Sequence, residues 1–583
     1  MDDERIRGDA KRIQWNDWST STFEKAHRED KPILLDLSAV WCHWCHVMDK
    51  TSYSDDTIIE RLNNQFVPVR VDIDRRPDIS DRYNMGGFPT TCFLSSDGEI
   101  IMGGTYVPLD KMKIVLDDVL DKYKSKQVES YKRHEDLPKR VDGSSIDESI
   151  LWKVAGSLTE SFDPICGGFG MQPKFPMTDA IDLSLLMYKM TGDRGFLRIA
   201  TKTMNGISEG ILDSVDGGFF RYSVTRDWTV PHYEKMLETN AGLITNFLNL
   251  SSITGDERYV QIAKSSLDYI SKNLYDPLNG GFFGSQDADE EYYKLGKLER
   301  QKLPVPYIDK TVYINWSASM ISTFIKSYCI LGDAKYLEMA RKTIEFMLKT
   351  CYSINGGMSH HVKGNDIGLT GFLADNARMI LALTDMVEAT SKREYLVEAE
   401  NLALYVMQML GDGSDGYLDS ISRDGDIGYM NKRQVSIQEN AVMADALMRL
   451  SHLTDKDEYF DAAEKNLTLL LSIYDKYGVF GSRYALATAA NINPIKVVII
   501  GNGENTKNWV SNLLQSFDPR RTVVALDVEN DRNLIENMNY SLVNLPVAYV
   551  CMGRTCSPPL RSSNDVIETL ERFLPQKKTE VGN

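Results

Sequence analysis

The stretch Pro32–Lys50, PILLDLSAVWCHWCHVMDK, joins an apolar run to two cysteines separated by two residues. Pro32–Val40 suits a short buried strand. A helical stretch follows the cysteines. FVPVRVDID (66–74) reads as a second buried strand, and GGFPTTCFLSSDGEII (86–101) with GGTYVP (103–108) as a hairpin opened by a proline. The order is strand, CxxC, helix, strand, helix, hairpin. Cys42 and Cys45 then stand at a helix start, where the helix dipole and free amides favour a thiolate on Cys42. Cys42, nearer the helix start and solvent, is the expected attacking thiol, and Cys45 the resolving one. A zinc site is the competing reading, because His43 and His46 crowd the same turn. Neighbours on one helical turn point apart and no second CxxC follows, so no metal is expected. A module that keeps this fold without redox chemistry is the other alternative.

This pattern resembles thioredoxin over the first 125 residues. Asp36 lies six residues before Cys42, where the resemblance implies a buried acid that assists proton transfer. Pro89, between Phe88 and Thr90, matches the cis-proline that packs on the disulfide. His43-Trp44 replaces the Gly-Pro of thioredoxin, and a histidine beside the thiolate makes the pair more oxidising.

Downstream, a glycine turn recurs as CGGFG, DGGFF, NGGFF, NGGMS, SDGYL and KYGVF, with second glycines at 168, 218, 281, 357, 416 and 478. An aromatic–x3–Ala pair precedes five of them: Phe196/Ala200, Tyr259/Ala263, Tyr336/Ala340, Tyr395/Ala399 and Tyr459/Ala463. That spacing fits one amphipathic helix stopped by a glycine turn. A small polar residue followed by alanine then opens a second, more apolar helix: Asp179-Ala180, Asn240-Ala241, Ser317-Ala318, Asn376-Ala377 and Asn440-Ala441. Six αα-hairpins of this kind close into an (α/α)6 toroid. Open solenoids have shorter and more regular periods.

A site is expected at the toroid mouth. RYSVTRDWTVPHYEKMLETNA (221–241) supplies Arg221, Tyr222, Trp228, His232, Glu234, Lys235 and Asn240. SQDADEE (285–291) adds Asp287 and Asp289, SHH (359–361) adds His360 and His361, and Trp316, Asp375, Glu439 and Asn440 open inner helices. Aromatic faces beside carboxylates suit a sugar ring, with two carboxyls as acid and base. His232 and Asp289 are expected to line one cavity. The bland alternative is that these residues only cap helices or pair with one another.

WCHWCHVM, GGTYVP, PKFP (173–176), GGFFRYSV, VPHYEKML, QDADEE and CMGRTCSPP (551–559) occur in that order. Together they resemble the thioredoxin-domain proteins of the spermatogenesis-associated protein 20 type, over nearly the whole chain. The resemblance implies a thioredoxin-like domain joined to a six-hairpin glycosidase-like barrel. More distantly the chain resembles the N-acylglucosamine 2-epimerases, whose barrels use histidines for proton transfer. Three departures stand on the rim: Phe220 where the family has histidine, Trp316-Ser317-Ala318 for Trp-Asn-Gly, and Glu238-Thr239-Asn240-Ala241 for Tyr-Asp-Asn-Ala.

The last ninety residues alternate strand and helix: IKVVIIGN, RTVVALDV and VAYVCMG as strands, with helices near 506–516 and 563–573. Gly501-Asn502-Gly503 is a weak phosphate-loop signal. Cys551 and Cys556 are read as reduced buried thiols, with a resolving pair for the N-terminal dithiol as the alternative.

Composition fits these domains. The 583 residues are 42% hydrophobic and 26% charged, with a net charge of −17 and no polybasic stretch, which argues against nucleic acid. No apolar run approaches the roughly 18 residues of a membrane span. The N-terminal MDDERIRGDAKR has no apolar core, so no secretion signal is expected, and eight cysteines suit a cytoplasmic, reducing compartment. The expectation is therefore a multidomain chain: an α/β thioredoxin-like domain (1–125), an all-α (α/α)6 toroid (145–490) and a small α/β region (491–583). Its expected partners are a protein disulfide or a small-molecule or sugar ligand, without a cofactor. The leading function is thiol–disulfide exchange; the alternative is a glycoside hydrolase or sugar epimerase with an accessory thioredoxin-like domain.

Overall fold

The strand Ile33–Ser38 is the centre of the N-terminal unit, and it is buried from Ile33 to Leu37. A computed structural model describes residues 7–125, 137–141, 143–537, 540–553 and 555–572. Val67–Asp72 pairs parallel to the central strand on one side, with Ile33 opposite Val67. Thr90–Leu94 pairs antiparallel on the other, and Ile100–Gly104 completes the four-stranded sheet. The helices His43–Lys50, Asp56–Gln65 and Leu109–Lys124 bury apolar residues, and Met48, Ile58, Leu62, Met112 and Leu116 form one cluster with Leu34 and Phe93. This is the thioredoxin-like arrangement. Among the described residues the unit comprises 7–125 and 137 with two later segments, 286–290 and 419–434. Within it Arg82 forks onto Asp419 at 2.7 and 3.1 Å.

The second unit contains the helical toroid and the C-terminal region. Six inner helices, 178–191, 237–254, 314–331, 373–390, 437–454 and 482–492, pack each on the next, and the last packs on the first. The ring is therefore closed. Six outer helices, 148–161, 194–210, 257–269, 334–351, 393–409 and 457–470, surround it. The aromatic–alanine pairs face inward: Tyr259, Ala263, Tyr336, Ala340, Tyr459 and Ala463 are all buried. Two devices repeat at the helix ends. Gly192, Gly255 and Gly332 end inner helices in the left-handed conformation, and the next residues, Asp193, Asp256 and Asp333, cap the following outer helices. At the opposite end the glycine turns admit bulky rings. Gly168 and Gly218, both at φ +76°, leave space that a Cβ would take from Trp228 and Tyr269.

In the C-terminal region the strand Ile495–Ile500 lies between Arg521–Leu526, parallel, and Val547–Met552, antiparallel. Helices Glu504–Gln515 and Ser563–Arg572 occupy the expected places, and Arg532–Asn537 is an additional one. The expected helix end at residue 573 and the N-terminal residues 1–6 lie outside the described residues. Among the described residues no helix is long and apolar enough to cross a membrane.

Candidate active site

Cys42 is the N-cap of helix His43–Lys50, and its Sγ accepts the Cys45 amide at 3.2 Å. The two cysteines are joined as a disulfide. The helix start therefore points its unpaired amides at Cys42, as the spacing predicts. Solvent does not separate the two thiols as expected: Cys42 is 3% and Cys45 5% exposed. Position on the helix is what distinguishes them. The Phe88–Pro89 bond is cis, and Phe88 sets its ring edge-on to Trp41 at 6.4 Å. Trp41 also donates to Asp74 at 2.6 Å. Trp44 is half-exposed and lies 5.3 Å from Tyr106.

Asp36 is buried on the central strand. Its two oxygens are taken by Arg70 Nε (2.7 Å) and the Tyr53 hydroxyl (3.2 Å). Burial pushes its carboxyl up to about 6, against the pull of Arg70. The same guanidinium reaches Asp49 at 2.5 Å and lies over Trp15. His46, after Cys45, is pushed down to about 4 by burial and by Arg7.

The expected mouth residues divide. Arg221, Tyr222, His232 and Glu234 come together: Phe175, Tyr222 and His232 stack at 4.6 and 4.8 Å, the Arg221 guanidinium lies 5.6 Å from the Tyr222 ring, and His232 Nδ1 bonds the buried Glu234 carboxylate. Trp228 corrects the expectation of an exposed aromatic face. It is fully buried, donates to the Cys166 carbonyl and fills the space left by Gly168, Gly206 and Gly210. Asn240 is a second correction. It is fully buried and spends its amide on the backbone of Phe219 and Met236, so it is a structural clamp. Asp287 and Asp289 belong to the segment that packs with the N-terminal unit. Asp287 sits 3.4 Å from Arg7 and 4.0 Å from His46, and Asp289 is exposed. Trp316 is half-buried, 4.6 Å from Tyr313. The Cys551–Cys556 expectation is also corrected. The hairpin register sets these residues opposite each other, and they form a disulfide, with Cys556 exposed.

Inside the toroid lies a cavity of about 330 Å³ whose wall includes neither His232 nor Asp289. Its wall carries Asp179, Asp182, Glu238, Lys326, Arg378 and Glu388, with Arg521 from the C-terminal region. Desolvation raises the carboxyls of Glu238 and Glu439, and the charge of Arg378 opposes the rise in each. Burial also pushes Asp182 up to about 6 and Glu388 up to about 7. Asn246 and Asn249 each donate to Asp182 Oδ1 at 2.9 Å. Nearby, His360 bonds Asp375 at 2.9 Å. Among the described residues no group of three or more histidine, cysteine and acidic side chains could hold a metal.

The family described as "Protein of unknown function, DUF255" (Thioredox_DsbH) matches residues 6–142. Spermatogenesis-associated protein 20 of Mus musculus is 32% identical, over 94% of this chain and 88% of its own. The chain belongs to the spermatogenesis-associated protein 20 family. This family member is also 26% identical to the thiol:disulfide interchange protein DsbD of Campylobacter jejuni, over 100 residues, 16% of this chain and 18% of that one. Cellobiose 2-epimerase from Spirochaeta thermophila is 15% identical, with a TM-score of 0.49 over 59% of this chain and 94% of that one.

The departures of this family member from the common motifs are accommodated in place. Phe220 packs edge-on to Tyr233 and Tyr293 at 4.9 and 5.1 Å. Ser317 bonds the Phe282 carbonyl at 3.4 Å, the place in its repeat that Asn240 has in its own. The cavity acids and Arg378 escaped the sequence reading. Their signal was present: Asp182, Asp385, Glu388, Asp445 and Arg449 are charges within inner helices whose residues are mostly buried.

Proposed function

We propose that this protein is a thiol–disulfide oxidoreductase whose working pair is Cys42 and Cys45, and that its toroid cavity binds a small polar ligand. The single observation that carries the redox reading is the seat of Cys42 as a helix N-cap, in a disulfide with Cys45. In the reduced form Cys42 attacks a substrate disulfide and expels one thiolate. Cys45 then attacks Cys42, expels the second, and leaves the pair oxidised while the substrate gains two electrons. No cofactor is required for the exchange, and a protein disulfide is the proposed partner. Cys166, Cys329 and Cys351 are free thiols, which suits the proposed cytoplasmic site. Capture tests the reading: Cys45→Ser protein, incubated with disulfide-bearing proteins, accumulates adducts through Cys42 that dithiothreitol releases. Absence of adducts, or adducts through another cysteine, contradicts it.

The cavity supports a second reading, acid–base chemistry on a sugar. Glu238, with raised proton affinity, shares the cavity wall with Asp179 and Arg378, and two carboxyls in one cavity are the pair such chemistry uses. Calorimetric titration with a panel of aldoses and uronic acids tests it. Binding lost in Glu238→Gln supports it; no heat from any sugar removes it.

A further inference from the structure

The exchange described above leaves one buried carboxylate without a part. Asp49 lies four residues after Cys45 on helix His43–Lys50, so the two share a helix face. Both line a cavity of about 240 Å³ whose wall also carries Arg70, Trp18 and Arg75. Asp36 does not line it. Arg70 bridges the two acids, with Tyr53 also on Asp36 and the Arg7 amide also on Asp49, and of the two only Asp49 lines the same space as the resolving cysteine. Asp17, His46, Asp72 and Arg76 also line it, and a water needs only about 10–15 Å³ of space with two to four polar partners.

We infer that Asp49, through water in this cavity, takes the proton of the Cys45 thiol as Cys45 resolves the mixed disulfide, and that Asp36 serves to position Arg70. The inference rests on the oxidoreductase reading. In the step the Cys45 S–H bond breaks, its proton passes to Asp49, and the sulfur electron pair forms the Cys45–Cys42 bond. The bond from Cys42 to the substrate breaks, and the substrate leaves as thiolate. The proton on Asp49 then returns through the cavity to solvent or to that thiolate. The charged and titratable groups facing Asp49 and its cavity are Arg70, with Asp36 and Tyr53 behind it, the Arg7 amide, His46, Asp17, Asp72, Arg75 and Arg76.

Two readouts test this. Reduced protein mixed with dithiobis-nitrobenzoate releases one thionitrobenzoate when Cys42 attacks and a second when Cys45 resolves. In Cys42→Ser protein, iodoacetamide labelling of Cys45 across pH reads its ionisation. Asp49→Asn is expected to leave the first release intact and slow the second by about tenfold or more, the lower range of general-base catalysis and below. It is also expected to move the Cys45 labelling midpoint to lower pH, because a negative charge on the same helix face is gone. Easier ionisation with slower resolution is the signature, since a purely electrostatic role would speed both. Asp49→Glu restores the second release, and Asp36→Asn slows it less than Asp49→Asn does. In wild-type protein the second release slows in deuterium oxide, a readout that stands even where Asp49→Asn does not fold. An unchanged or faster second release in Asp49→Asn, a larger effect of Asp36→Asn, or no isotope effect overturns the inference. Absence of both releases in wild-type protein overturns the oxidoreductase reading instead. The Cys45 midpoint still judges Asp49 in that case, an unchanged midpoint counting against it.

Discussion

Asn240 clasps Phe219 by both of its backbone groups: its Oδ1 accepts the Phe219 amide at 2.7 Å and its Nδ2 donates to the Phe219 carbonyl at 3.0 Å. The same clasp joins Asn440 to Tyr417, and Asn376 accepts the Met358 amide. Each ties the residue after a glycine turn to the first turn of the next inner helix. Asn240→Ala strands two buried backbone groups, each worth about 1–3 kcal/mol when unpaired. Calorimetry is expected to show a clearly lowered melting temperature. An unchanged melting temperature would deny the clamp.

Trp228 is another residue whose role changes between sequence and structure. Trp228→Ala removes a fully buried ring, and the expected loss is about 3–5 kcal/mol in urea unfolding. Gly210→Ala should be damaging as well, because its Cβ would fall 2.2 Å from the Trp228 carbonyl oxygen. Trp316→Ala, at a half-buried site, should cost less than Trp228→Ala. The reverse order would contradict this packing.

Glu388 gives a pH dependence. Its carboxyl is buried and pushed up to about 7, although it accepts the Val523 amide at 2.8 Å and lies 3.7 Å from Arg449. The unfolded chain holds this proton only below about 4.3, so between the two values the folded state binds more protons and stability falls as pH rises. Glu388→Gln keeps an acceptor for Val523 and removes the charge. It is expected to be more stable than wild type above pH 7, by a few kcal/mol at about 1.4 kcal/mol per unit, with the difference vanishing toward pH 4. Urea unfolding at several pH values reads this, and a variant that is weaker at high pH contradicts it.

Much of the architecture is legible because repetition announces it. The glycine turns and aromatic–alanine pairs mark six hairpins, and Cys42, Cys45, Asp36 and Pro89 mark the thioredoxin-like unit. What escaped was set by three-dimensional register. The segment SVTRDW gives no sign that Trp228 turns inward, since that depends on Gly206 and Gly210 on a helix before it. Asn240 looked like a ligand residue because polar residues at helix starts serve as clamps or contacts in the same sequence dress. Asp287 is close in sequence to the toroid but packs beside His46. The Thr-Gly-Asp runs at 191–193 and 254–256, a left-handed stop followed by a cap, were readable punctuation that marks two of the hairpins.

The redox claim is tested most directly by turnover. Insulin-type interchain disulfides, with dithiothreitol as electron donor, are followed in the presence of wild-type and Cys42→Ser protein. Reduction is expected to be faster with wild-type protein than with buffer alone, and to fall to the buffer rate with Cys42→Ser. Wild-type protein no faster than buffer, or Cys42→Ser as fast as wild type, would contradict the account.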